Sequence, residues 1–476
     1  MTSPSCGGSL LEGAKVCPHC GAPARSEAPP ANPLRARVMG AVAIGVLAFL
    51  AYNANGREVG SYDSQPTKLA ARELLLRRTL ALDHVVAATP EYARRPGFAR
   101  AIDGSVRSAY SVVPALEAAG LGALLWALGV VDPEAPLAAS LIAKLTASLL
   151  TSVAVALAFL TARRRVAGTG AALVALGFGL GTNLWAIASQ SLWQHETAIL
   201  GLAAATFLLA RPGHELTPAR LWTASLMLGL AGAARPQLAP AIAVLAVSIC
   251  VRTSLLRGLG ALLPLALVTA AVLGFNLAWF GHPLGAFLAL ESLHPAVHGV
   301  AGTFSAEPWR GAGGLLFSPS RGLLVFSPIV AVAIAGMARA RREGWESDLA
   351  WSLLAAGAQF ALYASYAVWW GGHTYGPRYC LDLLPHLVPL AAAGLPAAAA
   401  TRPRRGLAWL ALTWSVLIAA TGAFSYPDER WNVFPTEVDT NHERLWDWKD
   451  PQFVRCWSSG SSPGNFRLFD MRAVRR

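Results

Sequence analysis

Apolar runs of roughly 20 residues follow one another from about position 38 to position 424, and a run of that length is what one helix needs to cross a bilayer. Hydrophobic residues make up 54% of the 476 positions and charged residues only 14%, where a soluble chain would carry about a quarter. Mean hydropathy is +0.44. The expected fold is therefore all-α, a polytopic membrane protein. The runs read as spans at 38–52, 137–162, 168–188, 197–210, 221–234, 237–251, 259–280, 323–337, 349–370, 381–400 and 406–424, about eleven in all. Several are rich in Ala and Gly, which suits close helix packing more than lipid exposure.

A net charge of +12 would suggest a nucleic-acid partner in a soluble chain. Here the basic residues cluster in short loops between runs and report orientation instead. The clusters are Arg163 to Arg165, Arg211 with Arg220, Arg252 with Arg257, Arg339 with Arg341 and Arg342, and Arg402 with Arg404 and Arg405. All fall on one side only if the apolar stretch 111–131, interrupted by Pro114 and Glu117, lies on the membrane surface as an interfacial helix. The N-terminus is then cytosolic and the C-terminus outside. Three domains follow: a head (1–33), a membrane domain (34–424) and a Trp-rich outer tail (425–476).

The head carries Cys6-Gly-Gly-Ser-Leu and Cys17-Pro-His-Cys20-Gly. These resemble a short zinc ribbon, in which Cys-x-x-Cys knuckles bring four thiolates to one tetrahedral ion. Ser3 stands where the pattern has a cysteine, so the ribbon is degenerate. Cys6, Cys17 and Cys20 are the metal candidates, with His19 badly placed between two of them. Reduced cysteines suit a cytosolic head. A cleaved signal peptide is not expected, because the ribbon and a Pro-rich linker precede the first run.

Two long polar loops face outward, 53–110 and 281–322. The first contains Gly60-Ser-Tyr-Asp63-Ser-Gln-Pro66, and a carboxylate held at a membrane surface is a candidate general base. Other polar groups that are costly near a bilayer collect on the same side. They are Gln190-Ser-Leu-Trp193-Gln-His195-Glu196, Arg235-Pro-Gln237, Ser318-Pro-Ser-Arg321-Gly322 and Trp369-Trp-Gly-Gly-His373-Thr-Tyr375-Gly-Pro-Arg378-Tyr379-Cys-Leu-Asp382. Each also has a plainer reading. Trp-rich hinges anchor spans, His195 and His373 could be packing residues, Arg235 could snorkel, and Asp63 could be only a helix N-cap.

Together with the block Asp103-Gly-Ser-Val-Arg-Ser-Ala-Tyr110-Ser-Val-Val-Pro114, these pieces resemble bacterial integral-membrane glycosyltransferases of the C-type superfold, akin to protein O-mannosyltransferases and aminoarabinose transferases. The resemblance covers about residues 35 to 424. It implies a multi-pass protein of the bacterial inner membrane and cell envelope. The chain would move a sugar from a polyprenyl-phosphate donor to an outer-face acceptor (a glycan, a lipid or a protein), with inversion. On that basis Asp63 is the catalytic base. Arg378, Arg321, Arg235, His195, His373 and Tyr375 are the donor- and substrate-binding candidates, with Trp193 and Trp370 as stacking surfaces. Transfer itself needs no cofactor, a divalent metal is left open, and membrane lipids are the surroundings. The competing readings are a lipid or solute transporter or flippase, and an inactive scaffold. A transporter should carry charges inside its spans and shows an internal repeat in many cases. No repeat is visible here, and Lys144 is the main charged residue within a run.

Overall fold

The computed structural model describes residues 33–210, 216–470 and 472–475. The cysteines Cys6, Cys17 and Cys20 of the expected ribbon lie outside the described residues. Contacts divide the chain into Met1–Gly40 and Ala41–Arg476. Only the opening turns of helix Pro33–Asn53 are described in the first of these.

The described residues are mostly helical, with one antiparallel hairpin pairing Phe98–Arg100 with Val106–Ser108. Among the described residues, five helices are long and apolar enough to cross a membrane: Leu34–Asn53, Ala138–Ala162, Leu263–Phe280, Arg378–Ala398 and Arg402–Ser425. A helix does form within each expected span, but many are shorter than the apolar run that contains them. Breaks in the backbone explain this. The run at 168–188 ends as a helix at Leu180 and closes in a π turn over Leu184–Ala188. The run at 259–280 divides at Leu262, before Pro264 in the first turn of Leu263–Phe280. The run at 323–337 divides at Ser327-Pro328, which interrupts the hydrogen-bond ladder. The stretch expected to be interfacial forms helix Val113–Ala127 and packs against Gln65–Arg77 and Ala138–Ala162.

Two contacts set the positions of the ends. Lys68 Nζ lies 3.4 Å from Ser140 Oγ, so the loop bearing Asp63 meets the start of Ala138–Ala162. Arg163 to Arg165 follow its last residue. At 1.5 Å per residue, 25 residues separate the two by about 37 Å, more than the roughly 30 Å hydrocarbon core. Helix Arg402–Ser425 repeats the arrangement. The carbonyl of Ala423, near its end, accepts from Asn55 Nδ2 at 2.8 Å, while Arg402, Arg404 and Arg405 open it. At the arginine end Arg165 pairs with Asp348 at 2.7 Å and with Glu346 at 3.0 Å. Asp63 therefore stands at the opposite end of the bundle from the clusters Arg163 to Arg165 and Arg402 to Arg405.

Candidate functional site

The segment before Asp63 is held as a strap. Asn55 Nδ2 donates to Gln190 Oε1 at 2.8 Å, Val59 N to Gln190 O at 3.3 Å, and Trp193 Nε1 to Val59 O at 3.0 Å. Arg57 Nη2 donates to Tyr426 O at 2.6 Å. The chain then turns through Ser61 to Ser64 into helix Gln65–Arg77, with Pro66 in its first turn. Ser64 occupies the N-cap position without capping: its Oγ accepts from Ser61 N at 3.0 Å. Asp63 is no cap either, because its carboxylate points elsewhere. Oδ1 accepts from the Tyr110 hydroxyl at 3.0 Å, and Oδ2 accepts from Arg378 Nη1 at 2.8 Å.

Arg378 reaches this point from the loop after Trp370. Gly376 adopts φ +60°, and a Cβ there would stand 2.5 Å from Asn183 Nδ2, so only glycine lets the loop close onto that side chain. A 3-10 turn over Arg378–Leu383 follows. The guanidinium lies near Trp193 and Tyr379, 5.7 and 5.6 Å from their ring centroids. One edge is bonded to Asp63, while Nε has no partner. The Asp63 side chain remains 39% exposed, so the carboxylate is open to a ligand, whereas Arg378 is 16% exposed.

Burial alone would raise the Asp63 carboxyl. The Arg378 charge and hydrogen bond, the Tyr110 hydroxyl and the charge of Arg235 outweigh it and hold the group below the usual carboxylate value. Tyr110 moves the other way. Burial first, then the adjacent Asp63 charge, pushes its phenol well above the ordinary value, so it stays protonated as a donor.

His195 and Arg235 meet a different carboxylate. Asp382 faces His195 Nδ1 at 3.1 Å and accepts from Arg235 Nε at 3.2 Å, with the Tyr363 hydroxyl on the same oxygen as Arg235. All four are buried. Tyr363 stacks on Tyr379 at 4.8 Å, which ties this cluster to the side of Arg378. His195 Nε2 is buried without a partner. Arg235 is thus held in a compensated pair and does not snorkel.

Three sequence candidates have other roles here. Arg321 is fully buried and all five of its N–H groups are occupied: by Trp370 O, Ser320 O, Gly372 O, Gln452 Oε1 and Asn432 Oδ1. It pins the loop ahead of Arg378 to the tail and offers no donor to a phosphate. Tyr375 is also fully buried, its hydroxyl donating to Ile418 O at 2.8 Å, so it presents no face to a sugar. His373 stands beside the tail carboxylates Glu437 and Asp439 rather than near Asp63. Trp370 Nε1 donates to Asp439, and Trp193 is buried beneath Arg378.

The sequence reading did not assign roles to Tyr110 and Asp382. Both sit in blocks quoted above, but no spacing rule links Tyr110 to a carboxylate 47 residues earlier. Three further carboxylates are engaged or remote. Glu58 pairs with Lys68 at 2.6 Å, Asp103 bonds Ser105 on the exposed hairpin, and Glu196 is buried. An apolar groove of about 110 Å³, open to solvent, runs from Arg405 to Leu384 and Thr182 between helices Gly168–Leu180, Leu384–Ala398 and Arg402–Ser425. Its lining is almost wholly apolar, so it holds none of this chemistry.

No family model matches the sequence, and no curated protein matches it. Solved structures do. The archaeal oligosaccharyltransferase AglB from Archaeoglobus fulgidus, in complex with an inhibitory peptide and a dolichol-phosphate, aligns at 13% identity and TM-score 0.42. That alignment covers 89% of this chain and 61% of AglB. The oligosaccharyltransferase of the same organism in complex with Zn and sulfate aligns at 13% identity and TM-score 0.44, covering 89% and 59% of the two chains. With an acceptor peptide tethered, it aligns at 11% identity and TM-score 0.41, covering 85% and 58%. The chain thus spans about three fifths of the length of the structures it matches.

Proposed function

We propose that this chain is a membrane glycosyltransferase that moves a sugar from a polyprenyl-phosphate donor to an acceptor hydroxyl at the outer face of the membrane. The observation that carries the proposal is the Asp63–Arg378 pair: a part-exposed, ionised carboxylate bonded to a guanidinium whose buried Nε makes no hydrogen bond. The sidedness comes from the basic clusters at the far end of the bundle, which the positive-inside bias assigns to the cytosol.

In the transfer, the acceptor oxygen attacks the anomeric carbon in line as the carbon–oxygen bond to phosphate breaks. The bonding pair leaves with the polyprenyl phosphate, and the acceptor proton passes to Asp63. Phosphate is a weak base, so no general acid is required. Arg378 supplies positive charge beside the phosphate while its Nη1 keeps hold of Asp63, which gathers base and leaving group around one guanidinium. The pairing also gates basicity. With Arg378 alone beside it, Asp63 is a poor proton acceptor. A bound phosphate compensates the guanidinium and adds a like charge, which raises the carboxyl and strengthens the base once donor is present.

The test is the lipid that accompanies the detergent-purified protein, identified by mass spectrometry. A polyprenyl-phosphate species supports the proposal. Bulk phospholipid alone, with no transfer when a polyprenyl-phosphate sugar is added, rejects it.

A further inference from the structure

The loop ahead of Arg378 and the tail meet at a cluster that the transfer reading does not use. His373 Nε2 lies 3.1 Å from Asp439 Oδ2 and 3.5 Å from Glu437 Oε1, and one ligand atom from each residue lies within 4.8 Å of the others. His373 Nε2 is shielded from solvent yet makes no hydrogen bond of good geometry, although two carboxylates face it. We propose that His373, Glu437 and Asp439 form a binding site for a divalent first-row transition cation, which fastens the tail to the loop that carries Arg378.

Two of the separations, 3.1 and 3.5 Å from His373 Nε2, fit a coordination polyhedron. Metal–ligand bonds of about 2.0–2.2 Å put neighbouring donor atoms roughly 3.0–3.5 Å apart in tetrahedral or octahedral geometry. An imidazole with two carboxylates is the donor set of zinc, manganese or cobalt, whereas calcium and magnesium prefer oxygen alone. The buried ligand is already oriented from behind. Asp439 is 4% exposed, and its other oxygen, Oδ1, accepts from Trp370 Nε1 at 2.8 Å and faces His298 Nδ1 at 3.0 Å. Those are the outer partners that fix a ligating carboxylate and leave Oδ2 for the ion. His442 Nε2, bonded to the carbonyls of Asp439 and His298 at 2.8 and 3.0 Å, braces the same turn. Glu437 is 55% exposed at its side chain, so the site has an entry path and room for water as the remaining ligands. Arg321 joins the same two segments a few residues away. The cation would be a second fastening beside it, and it would bind whether or not the chain transfers sugars.

The experiment uses the full chain with Cys6, Cys17 and Cys20 changed to Ser, so that the head cannot bind zinc. After chelator treatment the detergent-solubilised protein is dialysed to equilibrium against Zn²⁺, and bound metal is counted. One zinc per chain is expected, with a rise in Tm on loading. His373→Ala and the exposed Glu437→Gln should each weaken binding more than about a hundredfold, beyond the roughly 10–100-fold that outer-partner changes commonly cost, and should abolish the Tm rise. Absence of saturable binding in the parent overturns the proposal, as does unchanged affinity in both variants. Loss in only one of them overturns the three-residue set. Glu437→Gln, which removes no buried contact, keeps the test valid if His373→Ala fails to fold.

Discussion

Arg321 and Arg378 look alike in the sequence: each lies among Gly, Ser or Pro at the polar mouth of an apolar run, and each reads as a phosphate ligand. In the structure they are opposites. Arg321 has five acceptors, four of them carbonyl or amide oxygens of the 370–376 loop and the tail, and no solvent exposure. Arg378 has a single carboxylate partner and an unpartnered Nε. A cation can serve as scaffold or as ligand site, and the count of satisfied donors separates the two. Arg321 holds the loop so that Arg378 can remain incompletely bonded.

That contrast breaks first at Arg321. Arg321→Ala leaves buried carbonyl and amide oxygens without donors at about 1–3 kcal/mol each, so a loss of roughly 5 kcal/mol or more and little folded protein are expected. Thermal unfolding in detergent checks this, and a variant that folds normally would show Arg321 to be no scaffold. Next is Arg378→Lys, which keeps the charge but loses the planar fork. Donor KM should rise about tenfold, while stability changes by less than about 1 kcal/mol, as for a part-exposed pair. A fall in Tm without a KM effect would turn the contrast around.

The smallest effect lies in the tail. Burial pushes the Glu429 carboxyl up from the usual value to about 7, because Oε2 is buried without a partner and Gln452 serves only the other oxygen. A carboxyl raised on folding binds its proton more tightly in the native state. Stability should therefore fall as pH rises from about 4.5 to about 7. Glu429→Gln should flatten that slope and raise Tm slightly at pH 8. An unchanged pH profile of Tm would show that Glu429 is not the group responsible.

The sequence made the membrane character legible because runs of 20 apolar residues leave few alternatives. It overstated helix length wherever Pro or a π turn breaks a run, as at Pro328 and Leu184–Ala188. Asp63 and Arg378 could be singled out, although their pairing spans 315 residues and no local pattern encodes it. Arg321 and Tyr375 were misread for one physical reason. What satisfies them comes from elsewhere in the chain, Gln452 and Asn432 in the tail and the Ile418 carbonyl in the last long helix. His373 was read toward Asp63 when its neighbours are tail carboxylates.

The most direct test is the Asp63→Asn variant, measured for both Tm and single-turnover sugar transfer at saturating donor. Asparagine keeps the shape, and with its Oδ1 accepting from Arg378 its Nδ2 can donate to the Tyr110 hydroxyl oxygen, but it cannot take the acceptor proton at neutral pH. A base of this kind contributes about 10²–10⁴-fold, so turnover should fall by that factor while Tm moves by only a degree or two. Transfer at the wild-type rate, or a collapse in Tm that accounts for the lost activity, would contradict the assignment of Asp63 as the base.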